Sequence, residues 1–386
     1  MHINKFITVM VVLSIMFMMS CGEPEKVIVE KIPEKVSEST LSKRAKRAVS
    51  RKLNAYFLDQ SKHHGFNGSV LIAKRNEIVF KGDYGIADFS NKTKLDTSYS
   101  YQLASVSKQF TAAAIVLLQQ QGKLQFDDSV TKYFPDFHYN RVTIRQCLTH
   151  TAGLPKYFWI AEHKWEEDYP PTNMQLMEMM EDDDVLPFFT AGRKFAYSNT
   201  AYLVLAAIVE EVSGMSYAQY LQENIFEPIG MTHSYAYSYY YDKVREKQLW
   251  GYRRSGRRFI KIPGTVNDAV VGDKNVYSTT YDLFKWYKVL NNGELITDSN
   301  RILMYTLGKT SRGYEIPYGF GFHIEKENNH KVVFHNGKWN GFRNSFRQYP
   351  DNDLLIIVLE HSSYRGFNSF IKSVKGIANS YNYDKL

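Results

Sequence analysis

Residues 110–118, Phe-Thr-Ala-Ala-Ala-Ile-Val-Leu-Leu, carry no charge, so a helix built from them must be covered on every side. A chain that contains such a helix has to wrap other elements around it. Gln-Gln-Gln-Gly122 closes the run, and Gly122 supplies a C-terminal cap. A second run of the same kind, Ala-Tyr-Leu-Val-Leu-Ala-Ala-Ile-Val, occupies residues 201–209. Just before the first run, Tyr-Gln-Leu-Ala-Ser105-Val-Ser-Lys108 reads as the start of that helix. The three-residue spacing puts a hydroxyl and an amine on one helical face.

A hydroxyl is a poor nucleophile at neutral pH and needs a base within hydrogen-bond reach. A lysine shielded from water can be that base, because burial lowers its pKa. Ser105 also lies near the positive end of the helix, where an anionic intermediate is stabilised. Two more Ser-x-x-Lys strings exist, Ser129 to Lys132 and Ser369 to Lys372. They stand in charged or mixed surroundings, with no buried helix behind them, and read as surface coincidences.

Tyr197-Ser198-Asn199 is the only Tyr-x-Asn string in the chain, and it precedes the second apolar run. His335-Asn336-Gly337 ends a strand-like Lys331-Val-Val-Phe334. In this order the three strings resemble the signature of the serine β-lactamase and penicillin-binding protein family: S-x-x-K, then Y-x-N or S-x-N, then K/H-T/S-G. Ser107-Lys-Gln-Phe-Thr-Ala, Gly122-Lys-Leu-Gln-Phe-Asp-Asp128, Leu148-Thr-His-Thr-Ala-Gly-Leu-Pro155 and Tyr318-Gly-Phe-Gly321 are typical of its class C β-lactamase-related branch. The resemblance covers roughly residues 65 to 362. Two positions depart from it: Asn336 stands where a small hydroxyl residue is usual, and Lys338-Trp339-Asn340 replaces the commoner glycine- and proline-bearing turn. Both flank the substrate trough and bear on specificity more than on chemistry.

The resemblance implies a serine hydrolase that works through an acyl-enzyme, without metal or cofactor. Ser105 attacks a carbonyl, and Lys108 and Tyr197 share the proton transfers. Asn199 orients Lys108 and the substrate amide. Gly337 and His335 belong to the third motif; His335 supplies a hydrogen bond to the tyrosine or the substrate, with a charge that depends on pH. Backbone N–H groups of Ser105 and Lys338 form the oxyanion hole, where one donor is worth about 10²–10³ in rate. The Glu-x-x-Leu-Asn string that class A enzymes use for deacylation is missing, so deacylation falls to the tyrosine and lysine. Candidate substrates are a β-lactam, a D-amino-acid peptide derived from peptidoglycan, an amide or an ester. The alternative is a penicilloyl-binding sensor or envelope protein that acylates without turnover.

Lys5 precedes an apolar run from Phe6 to Met19, too short to span a bilayer comfortably and suited to a signal sequence. Met18-Met-Ser-Cys21-Gly then looks like a bacterial lipobox, with Cys21 as the lipidated N-terminus. The expected organisation is a signal peptide at 1–20, a lipidated N-terminus and charged tether at 21–45, and a β-lactamase-like serine hydrolase domain at 46–386. The expected location is the bacterial cell envelope, held to a membrane through the lipid anchor. Lys43 to Lys52 is strongly basic, yet Val49, Leu53 and Phe57 fall at helical spacing, so a peripheral helix packed on the domain is the simpler reading. The net charge of +8 is modest and spread out, and no stripe suggests nucleic acid.

Strand-like segments lie at both ends of the domain: Gly68–Lys74 and Ile78-Val-Phe, then Val332–Phe334, Asn344–Tyr349 and Leu354–Leu359, with a final helix near 369–381. Strands at the ends and helices between predict an α+β fold, an α/β sandwich. Its antiparallel sheet is built from N- and C-terminal strands and flanked by helices, with an all-helical lobe inserted.

Other motifs read as structural. Gly214-Met-Ser216 misses the Gly-x-Ser-x-Gly elbow by one residue and follows a helix, so Gly214 is a helix cap. No His-Glu-x-x-His, Cys-x-x-Cys or close histidine cluster predicts a metal. His150 is tempting as a base, but the resemblance implies that Thr-His-Thr-Ala-Gly shapes the site structurally; Cys147 is expected to be a buried small residue. The aromatic and basic stretch 235–258 has a pattern that can bind single-stranded nucleic acid or glycan, and the variable decorations of the resembling family at this place favour a rim of the substrate cleft.

Overall fold

The computed structural model describes residues 41–181, 185–256 and 258–384. Cys21 and the expected signal sequence lie outside the described residues, as does the tether up to residue 40. Helix α1 spans Lys43–His63, strands β1 and β2 span Gly68–Lys74 and Glu77–Tyr84, and α2 spans Lys108–Gln120. Then come α3 (Tyr157–His163), α4 (Asn199–Ser213) and α5 (Thr280–Asn292). The chain returns through β3 (His323–Glu327), β4 (His330–Trp339), β5 (Phe342–Tyr349) and β6 (Leu354–Glu360) to α6 (Phe367–Ala378).

The six strands form one antiparallel sheet in the order β3-β4-β5-β6-β1-β2. The expected closure by the two ends of the domain is therefore literal: β1 pairs with β6, Val70 opposite Val358. Alternation along the strands sorts the side chains to two faces. Val70, Ile72, Val332, Ile356 and Val358 pack with Val49, Leu53 and Phe57 of α1 and Phe370 and Val374 of α6. Leu71, Val333, Phe346, Leu355, Ile357 and Leu359 pack in a second core with α2, α4 and α5. The apolar face of α1 is thus spent on the sheet, as its spacing predicts.

Both apolar runs are interior helices, and every residue of 110–118 and 201–209 is buried. The end of α2 forms a Schellman turn, in which Lys123 N–H donates to Leu118 O at 3.0 Å and Gly122 N–H to Gln119 O at 2.9 Å. Gly122 takes the left-handed φ of 73° that this turn needs. Gly214 caps α4 in the same conformation, and Ser216 caps the next helix by accepting the N–H of Gln219. Neither is a nucleophile elbow. Ser129 likewise caps a short turn, with Lys132 paired to Asp128, and Ser369 and Lys372 are exposed.

Part of the stretch 235–258 departs from its expected role, while Tyr239 and Trp250 line a small pocket with Asp268 and Asn340. Tyr235 and Tyr237 turn inward onto Tyr277 and form a small core of their own. Arg245 covers the Tyr235 ring at 3.9 Å, and Arg253, Arg254 and Arg258 stand exposed on a separate hairpin. Backbone pairing of Tyr235 with Tyr277 explains the difference, since it commits alternate side chains to the interior.

Candidate active site

Ser105 does not sit in the α-helix proper. It lies in a 3₁₀ turn, Ala104–Ser107, that leads into α2 at Lys108. The preceding Ala104 has a φ of 51°, a left-handed conformation that strains a residue with a Cβ. The turn is held against the sheet from two sides. Asn344 of β5 donates to Gln102 O at 2.8 Å, and Gly337 of β4 lies against Leu103 and Ala104.

Lys108 is fully buried, and its amine has three oxygen partners. Asn199 Oδ1 lies at 2.9 Å, the Asp273 main-chain oxygen at 2.7 Å and Ser105 Oγ at 3.3 Å. Burial is the main cause that lowers the lysine pKa, to about 7; the Asp273 charge opposes it and the Lys274 charge adds to it. Asn199 Oδ1 and Asp273 O can only accept. A neutral amine that donates to both keeps its lone pair for the third partner, Ser105, whose hydroxyl can donate.

Tyr197 completes the group. Its ring lies 5.0 Å from the Lys108 amine, and its hydroxyl bonds the Ser105 side chain. Its surroundings push its pKa up while the bond to Ser105 pulls it down. Because 40 % of the residue is open to solvent, the upward push is weaker than full burial would give. The residue is a phenol, not a phenolate, at neutral pH.

His150 positions this segment. Its Nδ1 accepts the Ser198 N–H at 3.1 Å and its carbonyl accepts the Ala196 N–H at 2.9 Å. Ser198 in turn caps α4 through the Ala201 N–H. The imidazole is buried and held neutral by desolvation, with nearby Lys108 adding to the effect. It shapes the site, as the family resemblance implies.

His335 corrects an expectation. Its Nε2 lies 3.0 Å from Tyr318 Oη and its Nδ1 is 2.7 Å from Asn336 O. The carbonyl can only accept, so Nδ1 carries the proton and Nε2 accepts from the phenol. Burial holds the pKa well below the usual range, so the residue stays neutral and does not switch near pH 7. The tyrosine it serves is Tyr318, not Tyr197. His323, stacked on Tyr197 at 6.0 Å, is also depressed by burial, to about 4. Among the described residues no group of His, Cys, Asp or Glu could hold a metal ion.

The third motif belongs to β4 itself, which runs on through Lys338 to Trp339. Pairing with β3 stops at Phe334, whereas pairing with β5 continues to Trp339. Residues 335–339 therefore present a free strand edge beside the Ser105 turn. Asn340 and Gly341, with φ of 40° and 91°, make the two-residue turn that follows. Asn336 Oδ1 is buried without a partner, and the Lys338 side chain is exposed.

Sequence reasoning missed the loop at 272–275. Asp273 supplies a carbonyl to Lys108 from 165 residues away. Nothing in Gly272-Asp-Lys-Asn275 sets it apart from an ordinary polar loop. Tyr157, which gathers around Lys274 with Trp339, was equally unmarked; Trp339 stood out only as part of a departure from the family's turn.

A family model described as Beta-lactamase matches residues 51–372. Penicillin-binding protein 4* of Bacillus subtilis (strain 168) is 31% identical over 331 residues, covering 82% of this chain and 72% of the relative. The octameric penicillin-binding protein homologue from Pyrococcus abyssi superposes with a TM-score of 0.72 at 25% identity, covering 87% of this chain and 78% of that one. D-amino acid amidase from Ochrobactrum anthropi SV3 shares the fold, with a TM-score of 0.65 at 18% identity over 87% of this chain and 96% of its own. A match of that extent, over a chain that gathers all three motif strings at one place, settles the family: the protein belongs to the beta-lactamase family and is a serine hydrolase.

Proposed function

We propose that Ser105 is the acylated nucleophile, that Lys108 removes its proton, and that Tyr197 passes a proton to the leaving group. The observation that carries this reading is the lysine amine, held by two obligate acceptors and facing one hydroxyl. With its pKa brought down to about 7, it is neutral in a large fraction of molecules near that pH, a base suited to proton transfer there. As acyl transfer begins, the Ser105 Oγ–H proton moves to Lys108 Nζ while the Oγ–C bond forms. Collapse of the tetrahedral intermediate then expels the leaving group, which takes a proton from Tyr197. Lys108 returns its proton to the phenolate oxygen, and the same pair activates water for deacylation. Asn199 fixes the amine, and the N–H groups of Ser105 and Lys338 bind the oxyanion.

The substrate class is an amide, a β-lactam, a D-amino-acid peptide or an ester. The penicillin-binding name of the Bacillus relative and the amidase name of the Ochrobactrum neighbour support the amide side of that range. We also place the protein in a bacterial cell envelope, tethered through lipidated Cys21; the support is the apolar leader ending in Met-Ser-Cys-Gly. Replacing Cys21 by Ser should release the protein from a membrane fraction, and a wild-type protein that is already soluble with a different N-terminus refutes the anchor.

The activity is tested by incubation with a chromogenic ester and a fluorescent penicillin, following product against time. Steady turnover with label on Ser105 supports a hydrolase that deacylates. A stoichiometric burst without turnover marks a penicilloyl-binding protein instead, and label on another residue refutes the site.

A further inference from the structure

The loop Gly272–Val276 is fastened to the start of α2 along its length. Thr111 Oγ1 donates to Gly272 O at 2.5 Å, Lys108 Nζ to Asp273 O at 2.7 Å, and Val276 N–H to Ser107 Oγ at 3.0 Å. The middle contact orients the amine. What holds that carbonyl in place lies on the side chain of the same residue.

Asp273 and Lys274 form an ion pair at 3.3 Å, with side chains 1% and 3% exposed. The Tyr157 hydroxyl donates to Asp273 Oδ2 at 3.1 Å, and the Lys274 amine donates to the same hydroxyl. The ammonium lies 5.1, 5.4 and 5.2 Å from the ring centres of Tyr157, Phe158 and Trp339. Trp339 stacks on Phe158 at 5.6 Å, and Asp268 fixes the hairpin by accepting from the Trp339 indole and from Asn340 Nδ2. The pair therefore ties α3, the β4 hairpin and the loop under Lys108 into one unit. An ion pair buried this completely is weak ground for stability, since apolar side chains of similar volume do as well. Its value has to be sought in position.

We infer that the Asp273–Lys274 pair is a positioning element for the amine of Lys108, holding the carbonyl that orients it and balancing the charge around it. The inference rests on the reading of Lys108 as the base. An unbalanced Asp273 would favour the ammonium, and an unbalanced Lys274 would favour the neutral amine. Together they leave burial in control, which brings the lysine to about 7. The other titratable groups around the amine add no charge there. His150, His323 and His335 are kept neutral by burial, and Tyr197 and Tyr202 are protonated phenols near pH 7, their pKa values raised further.

The test is the rate of Ser105 labelling by a fluorophosphonate probe as a function of pH. That rate reports acylation without knowledge of the natural substrate. In the wild type it should rise with pH through a midpoint near 7, as Lys108 loses its proton. Lys274→Met should move that midpoint up by about one pH unit, and Asp273→Asn should move it down by about as much. Lys274→Arg, which keeps the charge, should leave it in place. The double variant Asp273→Asn/Lys274→Met buries no charge and should bring the midpoint back toward the wild type. Opposite displacements are the signature, because a purely structural defect would slow labelling at every pH without moving the midpoint. If Lys274→Met does not fold, Asp273→Asn decides alone: a downward shift supports the inference, and no shift or an upward one overturns it. Lys108→Met separates the two readings. If it labels as fast as wild type, the base assignment fails; if it is inert while the midpoints above stay put, only the role of the pair fails.

Discussion

A Cβ placed on Gly337 would stand 2.1 Å from the carbonyl oxygen of Leu103, so β4 and the nucleophile turn touch backbone to backbone. No flexible side chain is there to yield. Gly337→Ala should displace the turn that carries Ser105, and a misplacement of about 1 Å is enough to cost about 10²-fold in rate. We expect kcat/KM to fall by about that factor while the protein stays folded, with overpacking costing about 1–3 kcal/mol. Unchanged kinetics in a folded Gly337→Ala protein would show that the turn tolerates a gap at β4.

Ser105→Ala should abolish both turnover and covalent labelling. Ser129→Ala loses only a turn cap, and Ser369→Ala alters an exposed residue, so both should label as wild type does. Mass spectrometry of the labelled peptide makes the check, and undiminished label in Ser105→Ala would refute the assignment.

Tyr197→Phe removes a proton carrier from the transition state and leaves the ring in its stack. The predicted loss is about 10²–10⁴ in kcat with little change in KM. A Tyr197→Phe enzyme of full activity would remove the phenol from the mechanism.

His335→Lys places an ammonium in a buried slot between Tyr318 and the Asn336 carbonyl. Thermal stability should fall, because the slot offers one acceptor carbonyl and no countercharge. His335→Gln keeps the slot neutral, and its pH–rate profile should have the same acid limb as wild type. A limb that shifts or disappears in His335→Gln would return the titration to the histidine.

The parts of this fold written in runs of like residues were legible. Residues 110–118 and 201–209 announce buried helices because they carry no charge, and the apolar runs 70–73 and 354–359 announce strands covered on both faces for the same reason. The strand through His335-Asn-Gly-Lys-Trp339 was cut short, since its polar residues break the apolar pattern exactly where the edge opens onto the site. Tyrosines 235 and 237 misled for a related reason: their pairing partner lies some forty residues on, and composition alone cannot say which face of a tyrosine-rich strand is inside. Ser105, Lys108, Tyr197 and Asn199 could be found because their spacing is local and repeated in a known signature. Asp273 and Lys274 could not, because their meaning comes from contacts with Lys108 and Tyr157 more than a hundred residues away.

The pairing of β1 with β6 has a consequence for the order in which the molecule can form. The first strand of the sheet is made nearly three hundred residues before the strand it lies beside, with Gly68 opposite Glu360. Until β6 has emerged, β1 and β2 are a hairpin with one apolar edge unpaired, and such a hairpin is at best marginally stable in water. A chain that stops before Leu354 has no central strand to join its halves. Closing so long a loop is entropically costly and slow, so the site between sheet and helices assembles only once Leu354–Glu360 has been made and has docked.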